Sequence, residues 1–155
     1  MAAVAEQLAM SLSAAGLQRM HARVLAAFLF SDDDTLTAHR LAEQLGASAG
    51  SISAAITMLR TVALIEQVPV PGSRRDHFRL RPGAWATLMT SQNAIIEVMC
   101  EVGDRGLAVV APDSPAHTRL REMRDFYTFL LAELPVLLDR WRARRADPGR
   151  TDPGR

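Results

Sequence analysis

Lysine is missing altogether from these 155 residues, so all 18 basic positions are arginine. Cysteine occurs once, at Cys100, which excludes an intrachain disulfide framework and a multi-cysteine metal site and fits a reducing, cytoplasmic setting. There is no run of about 18 uncharged apolar residues, so no membrane span is expected. A secretory leader is not expected either, because no basic residue precedes the first apolar stretch and Glu6 interrupts it. An excess of one charge sign is also lacking. The formal net charge is +1, so any surface for a polyanion must come from local clustering. The chain does have a globular composition, 48% apolar and 23% charged, enough for one domain with a real core. Its use of arginine partly reflects a general compositional bias, yet arginine is also the better bidentate partner of phosphate and guanine.

Periodicity divides the chain into helices and one hairpin. Residues 2–15 read as a helix with Val4, Leu8, Leu12 and Ala15 on one stripe, broken by Gly16. Residues 17–30 read as a second helix, ended by the polar turn SerAspAspAsp at 31–34. Leu36 and Thr37 then offer a hydrophobic staple and an N-cap for a helix over 38–45, stopped by Gly46. Ser48 caps the next helix, which runs to about Val62. Ile52, Ala55, Ile56, Leu59 and Ala63 share its inner face, and Gly50, Ser53, Ala54, Thr57 and Thr61 point the other way. From Leu64 the period changes to two. The turn ProGlySerArgArgAsp at 71–76 joins two extended runs into a β-hairpin with Phe78 and Leu80 on one face. A long helix is expected over 83–102, with Trp85, Leu88, Met89, Ile95, Ile96, Met99 and Val102 as its apolar stripe and GlyAspArgGly at 103–106 interrupting or ending it. The last helix, from about 115 to Arg145, carries Leu120, Met123, Tyr127, Leu130, Leu134, Leu137 and Trp141 at alternating steps of three and four, with Pro135 expected to kink it. The tail repeats AspProGlyArg without an apolar anchor and reads as disordered.

This order gives a mainly α fold with a small β-hairpin wing, a winged helix-turn-helix flanked by N- and C-terminal dimerisation helices. The expected division is 1–31 for the N-terminal helices, 32–82 for the winged helix, 83–145 for the C-terminal helices and 146–155 for the tail. Two places suit double-stranded DNA. The small residues on the outer face of helix 48–62 allow close approach to a major groove, with free N–H groups at its start facing phosphate. Arg74 and Arg75 at the wing tip suit phosphates or a narrow minor groove, and Thr37 and Arg60 suit phosphate.

The runs LeuThrAlaHisArgLeuAlaGluGlnLeuGlyAlaSer at 36–48, GlySerIleSer at 50–53 and ProGlySerArgArgAsp at 71–76 resemble the winged helix-turn-helix of MarR-type transcriptional regulators, and ArgLeuArgProGlyAlaTrp at 79–85 resembles their GbsR-like branch. The resemblance implies a homodimer in which each recognition helix and wing reads one half-site. It maps the recognition positions to Ser48, Gly50, Ser51, Ser53, Ala54 and Thr57, and the wing arginine to Arg75 beside Arg74. Two positions depart from the pattern. Ala54 stands where many relatives carry a longer polar side chain. Ser73 stands where relatives often have an aspartate pairing with the wing arginine, which leaves Asp76 as the expected orienting group.

The apolar heptad at 120–141, together with Leu8 and Leu12, is expected to form the dimer interface. Met20, His21, Trp85, Met89 and Tyr127 are the candidates for a small-molecule effector pocket. Enzyme readings are weak: His21, His39, His77 and His117 have no metal-ligand spacing, no nucleophile elbow or Gly-rich phosphate loop is present, and Cys100 reads as a small buried apolar residue. No cofactor and no metal are expected. The competing reading is a winged helix that binds a protein partner and no DNA.

Overall fold

Short polar caps at Thr37 and Ser48 set where two of the helices of the first half begin. The computed structural model describes residues 2–91 and 93–146. Among them lie α1 (Ala2–Ala14), α2 (Arg19–Leu29), β1 (Leu36–Thr37), α3 (Ala38–Leu45), α4 (Ala49–Thr61), β2 (Ile65–Val68), β3 (His77–Leu80), α5 (Ala84–Ser91), α6 (Asn93–Leu107) and α7 (Pro115–Ala146). The chain divides into two units between Thr87 and Leu88.

In the first unit, Thr37 caps α3 by accepting a hydrogen bond from the Arg40 N–H, and Ser48 caps α4 by accepting one from the Ser51 N–H. Gly46 ends α3 in the left-handed region at φ 60°, a conformation that glycine adopts without strain. The two helices then bury opposed apolar stripes. Leu41 of α3 and Ile52, Ala55 and Leu59 of α4 are fully buried, joined by Val24 of α2 and Ile65 of β2. Each large side chain so buried contributes about 1.5–3 kcal/mol relative to exposure. Arg60 lies over this core edge, its guanidinium 5.9 Å from the centre of the Phe78 ring.

The hairpin is part of a three-stranded antiparallel sheet in the order β1-β3-β2. Ile65 faces Leu80 and Val68 faces His77, while on the other edge Leu36 faces Phe78. Strand β1 is absent from the sequence reading, because two residues are too few for an alternation to show. Leu36 is nonetheless buried as an apolar anchor should be. Ala63, between α4 and β2, takes a left-handed φ of 58° without being glycine.

Helix α1 packs on α2 through Ala9, Ala22 and Ala26, with Ala5, Leu8, Leu12 and Leu17 around them. The stripe is therefore rotated from the one expected: Val4 is 55% exposed and Ala15 is exposed, and the alanines take the inner positions. One side chain ties three helices together. Arg23 donates from Nε to Glu6 of α1 at 3.3 Å and from a terminal nitrogen to the Leu45 carbonyl at the end of α3 at 3.2 Å.

In the second unit, α6 and α7 pack side by side. The run 103–106 does not interrupt α6, which continues to Leu107. The two glycines are where α7 comes close: a Cβ on Gly103 would lie 2.7 Å from the Arg124 Cβ, and one on Gly106 would lie 2.9 Å from a Leu120 methyl. Of the stripe expected over 83–102, Ile96 is buried and Leu88 and Met99 are half-buried, whereas Met89, Ile95 and Val102 are exposed, as is Trp85 in the first unit. Helix α7 continues through Pro135 as far as Ala146. The rest of the expected disordered tail lies outside the described residues.

Candidate nucleic-acid interface

Helix α4 presents the face that its sequence assigns outward. Gly50, Ser53, Ala54, Thr57 and Thr61 are all exposed, as are Ser48, Ser51 and Arg60. At the helix start the Ser48 and Ser51 hydroxyls lie 3.0 Å apart, so the cap is a pair of hydroxyls with capacity left for an outside partner. A Cβ placed on Gly50 would meet nothing within 4 Å, so no packing inside the chain demands glycine there. Ala54 offers only a methyl group, suited to a thymine methyl and unable to hydrogen-bond a base.

Between α4 and the inner face of the wing lies a groove of about 570 Å³, bordered by Thr37, His39, Ser53, Ile56, Thr57, Arg60, Arg75, Asp76 and Phe78. It brings together five of the residues expected to meet DNA: Thr37, Ser53, Thr57, Arg60 and Arg75. Arg74 and Ser73 stand beside it at the exposed wing tip. On the other flank of Arg60 a second groove of about 540 Å³ is bordered by Thr57, Thr61, Glu66, Gln67 and Arg81.

Charge pairing sorts the arginines. Arg79 contacts Glu66 at 2.8 Å through both Nε and a terminal nitrogen, and Arg81 approaches the same carboxylate at 3.7 Å. Arg60, Arg74 and Arg75 have no carboxylate within ion-pair distance among the described residues. Their guanidinium groups are therefore the ones available to phosphate. Asp76 does not orient the wing arginines as expected. Its carboxylate accepts from the Gln67 amide at 2.8 Å across the hairpin. Ser73 instead steadies the tip, its hydroxyl accepting from the Arg75 N–H at 3.1 Å. Sequence reasoning missed His39, Gln67, His77 and the Glu66–Arg79–Arg81 cluster. Only the last left a signal, in the alternating charges of the two strands.

The residues expected to form a dimer interface stand as follows. Leu8 and Leu12 are partly buried against the alanine cluster of their own chain. Leu120, Met123, Tyr127, Leu130 and Leu134 are half-buried, and Leu137 and Trp141 are exposed at 55% and 47%. Phe126 and Phe129, which the heptad reading left out, are exposed as well. Of the candidate effector residues, Met20, His21 and Trp85 belong to the first unit, and Met89 and Tyr127 to the second. Cys100 is half-buried, its sulfur 3.8 Å from the Thr128 hydroxyl. The described residues hold no group of three His, Cys, Asp or Glu able to bind a metal. None of their helices is long and apolar enough to cross a membrane.

Residues 15–76 match a MarR family model, and residues 83–144 match one described as an MmpR5-like MarR family transcriptional regulator. The sequence is 32% identical over 143 residues to the HTH-type transcriptional regulator MmpR5 of Mycobacterium tuberculosis, covering 92% of this chain and 87% of that protein. The chain belongs to the MarR family of transcriptional regulators. A solved structure titled as the crystal structure of a transcriptional regulator superposes with a TM-score of 0.76 at 32% identity, covering 90% of this chain and 96% of that one. The MarR family is one of DNA-binding transcriptional regulators and not of enzymes. The matches carry the family and, over 83–144, an MmpR5-like description; they do not carry the GbsR-like branch.

Proposed function

We propose that this MarR family chain reads double-stranded DNA as a homodimer, with Ser48, Gly50, Ser51, Ser53, Ala54 and Thr57 in the major groove, Thr37 and Arg60 on phosphates, and Ser73, Arg74 and Arg75 anchoring the wing. The observation that carries this reading is the groove shared by Ser53, Thr57, Arg60 and Arg75, whose two arginines have no carboxylate partner among the described residues. Its direct base contacts are few, so thymine methyl contacts, hydroxyl contacts and DNA shape carry much of the selectivity. The exposed Phe126, Phe129, Leu137 and Trp141 support self-association, since a surface helix with this many large apolar side chains favours a partner. The two recognition helices of the dimer then sit about one helical turn, ~34 Å, apart on a pseudo-palindromic site. A small-molecule effector would change DNA affinity only by preferring one spacing of the two reading heads.

The test is selection of duplexes from a randomised pool by the full chain at two salt concentrations, with the mass determined by light scattering. A dimer that selects a two-fold symmetric site and loses affinity steeply with salt is the expected result. A monomer, or binding without selection and without salt dependence, overturns the reading and turns the α4 face into a candidate protein interface.

A further inference from the structure

The wing tip of this chain lacks the aspartate that the resemblance places two residues before Arg75, and Asp76 is engaged by Gln67. Yet the tip is held. His77 Nε2 lies 2.9 Å from the Ser73 hydroxyl, and His77 Nδ1 lies 3.0 Å from the Thr35 hydroxyl, 42 residues away in sequence. The Ser73 hydroxyl in turn accepts from the Arg75 N–H at 3.1 Å. One imidazole therefore joins the segment ahead of β1 to the turn that carries Arg74 and Arg75.

The chemistry of the three groups makes this tie robust. A neutral imidazole offers one donor and one acceptor, and a hydroxyl can serve as either, so both tautomers satisfy both contacts. The base of the tie is rigid. The backbone of His77 sits in the middle strand of the sheet, facing Thr37 on one side and Val68 on the other. The tip beyond it has no strand partner of its own, so its order depends on side-chain contacts such as these.

We propose that His77 is the positioning residue of the wing: bridging Thr35 and Ser73, it presents the Arg75 backbone, and hence its guanidinium, already ordered for the DNA backbone. The bridge does in this chain what an aspartate-to-arginine pair would do, but through Ser73 and without neutralising the arginine charge. Ordering the tip before binding lowers the entropy lost when the complex forms. This inference rests on the reading that the wing contacts DNA, and its test separates the two.

The experiment measures affinity of the full chain for a duplex that it selects from a randomised pool, for wild type, His77→Phe, Ser73→Ala, His77→Gln and Arg75→Ala, and for His77→Phe combined with Arg75→Ala. His77→Phe keeps a ring and removes both hydrogen bonds; it and Ser73→Ala should each weaken binding about three- to tenfold, the scale of one net hydrogen bond. His77→Gln, whose amide carries both a donor NH2 and an acceptor oxygen, should recover most of the loss. In the Arg75→Ala background, His77→Phe should weaken binding less than about twofold, because its effect passes through that arginine. Thermal melting of each variant reports whether the fold is intact. If Arg75→Ala weakens binding and His77→Phe does not, the wing reading stands and the role of His77 is refuted. If His77→Phe weakens binding equally with and without Arg75, it acts through the fold and the proposal fails. If Arg75→Ala itself changes nothing, or the chain selects no duplex, the wing reading falls and the proposal with it.

Discussion

Replacing Arg75 by alanine tests the interface most sharply when it is set beside the same change at Arg79. Both arginines belong to the hairpin segment and both are exposed. They differ in pairing: Arg79 holds Glu66 at 2.8 Å, and Arg75 has no carboxylate within reach among the described residues. A phosphate contact on B-form DNA contributes about 0.9 to the slope of log affinity against log salt, so losing one contact from each half of a dimer lowers the slope by about 1.8. Between about 50 and 200 mM salt that difference amounts to roughly a twelvefold narrowing of the gap between wild type and variant. At low salt Arg75→Ala is expected to weaken binding by about 1–3 kcal/mol. Arg79→Ala should leave the slope nearly unchanged, because its charge is already spent on Glu66. Fluorescence anisotropy of a labelled duplex across a salt series reads both quantities. An unchanged slope for Arg75→Ala, or an equal drop for Arg79→Ala, would refute the sorting of arginines by their pairing.

Four further outcomes follow from the geometry. Gly103→Ala gains about 1 kcal/mol of helix propensity but sets a Cβ 2.7 Å from that of Arg124. Overpacking of this kind costs about 1–3 kcal/mol, so urea denaturation should show a net loss of roughly 1 kcal/mol, and a net gain would contradict the close approach of α6 and α7. Gly106→Ala meets the movable end of the Leu120 side chain and no backbone, and should be nearly neutral by the same measurement. Ala63→Gly should stabilise the first unit by about 0.5–1 kcal/mol, because Ala63 holds φ at 58°, and a lower thermal midpoint would count against that strain. Trp141→Glu places a charge on an exposed apolar face and should turn the proposed homodimer into a monomer by light scattering; a mass equal to that of the wild type would count against an interface at Trp141.

Local signals were the readable ones. Thr37, Gly46 and Ser48 mark the ends of α3 and α4 because a cap acts within one turn, and the two faces of α4 follow from a period that needs no partner. The exposure of the outer face of α4 and of the wing arginines is legible to the same depth. What held them was not. Gly103 and Gly106 look like helix breakers in one dimension, because a glycine that admits a neighbouring helix cannot be told from one that ends its own until the neighbour is known. The inner stripe of α1 was misplaced for a related reason, since alanines carry too little apolar contrast to compete with Val4 in a periodicity count. The partners of Asp76 and His77 were hidden by register: Gln67 lies across the hairpin and Thr35 lies across the sheet, and neither spacing is visible before the strands are paired.

The contact of Arg23 with Glu6 and with the Leu45 carbonyl has a bearing on where the winged helix of this chain can be taken to start. Sequence boundaries alone would cut it out at Asp32, as a free-standing module. Trimmed there, the last turn of α3 would lose the donor that meets its carbonyl. Trimmed just ahead of α2, the chain would keep Arg23 but expose a half-buried guanidinium that has lost its carboxylate. The turn between α3 and α4 is thus moored to α1 through Arg23 as well as through the alanine packing of α1 on α2, so a displacement of α1 would be felt at the start of α4.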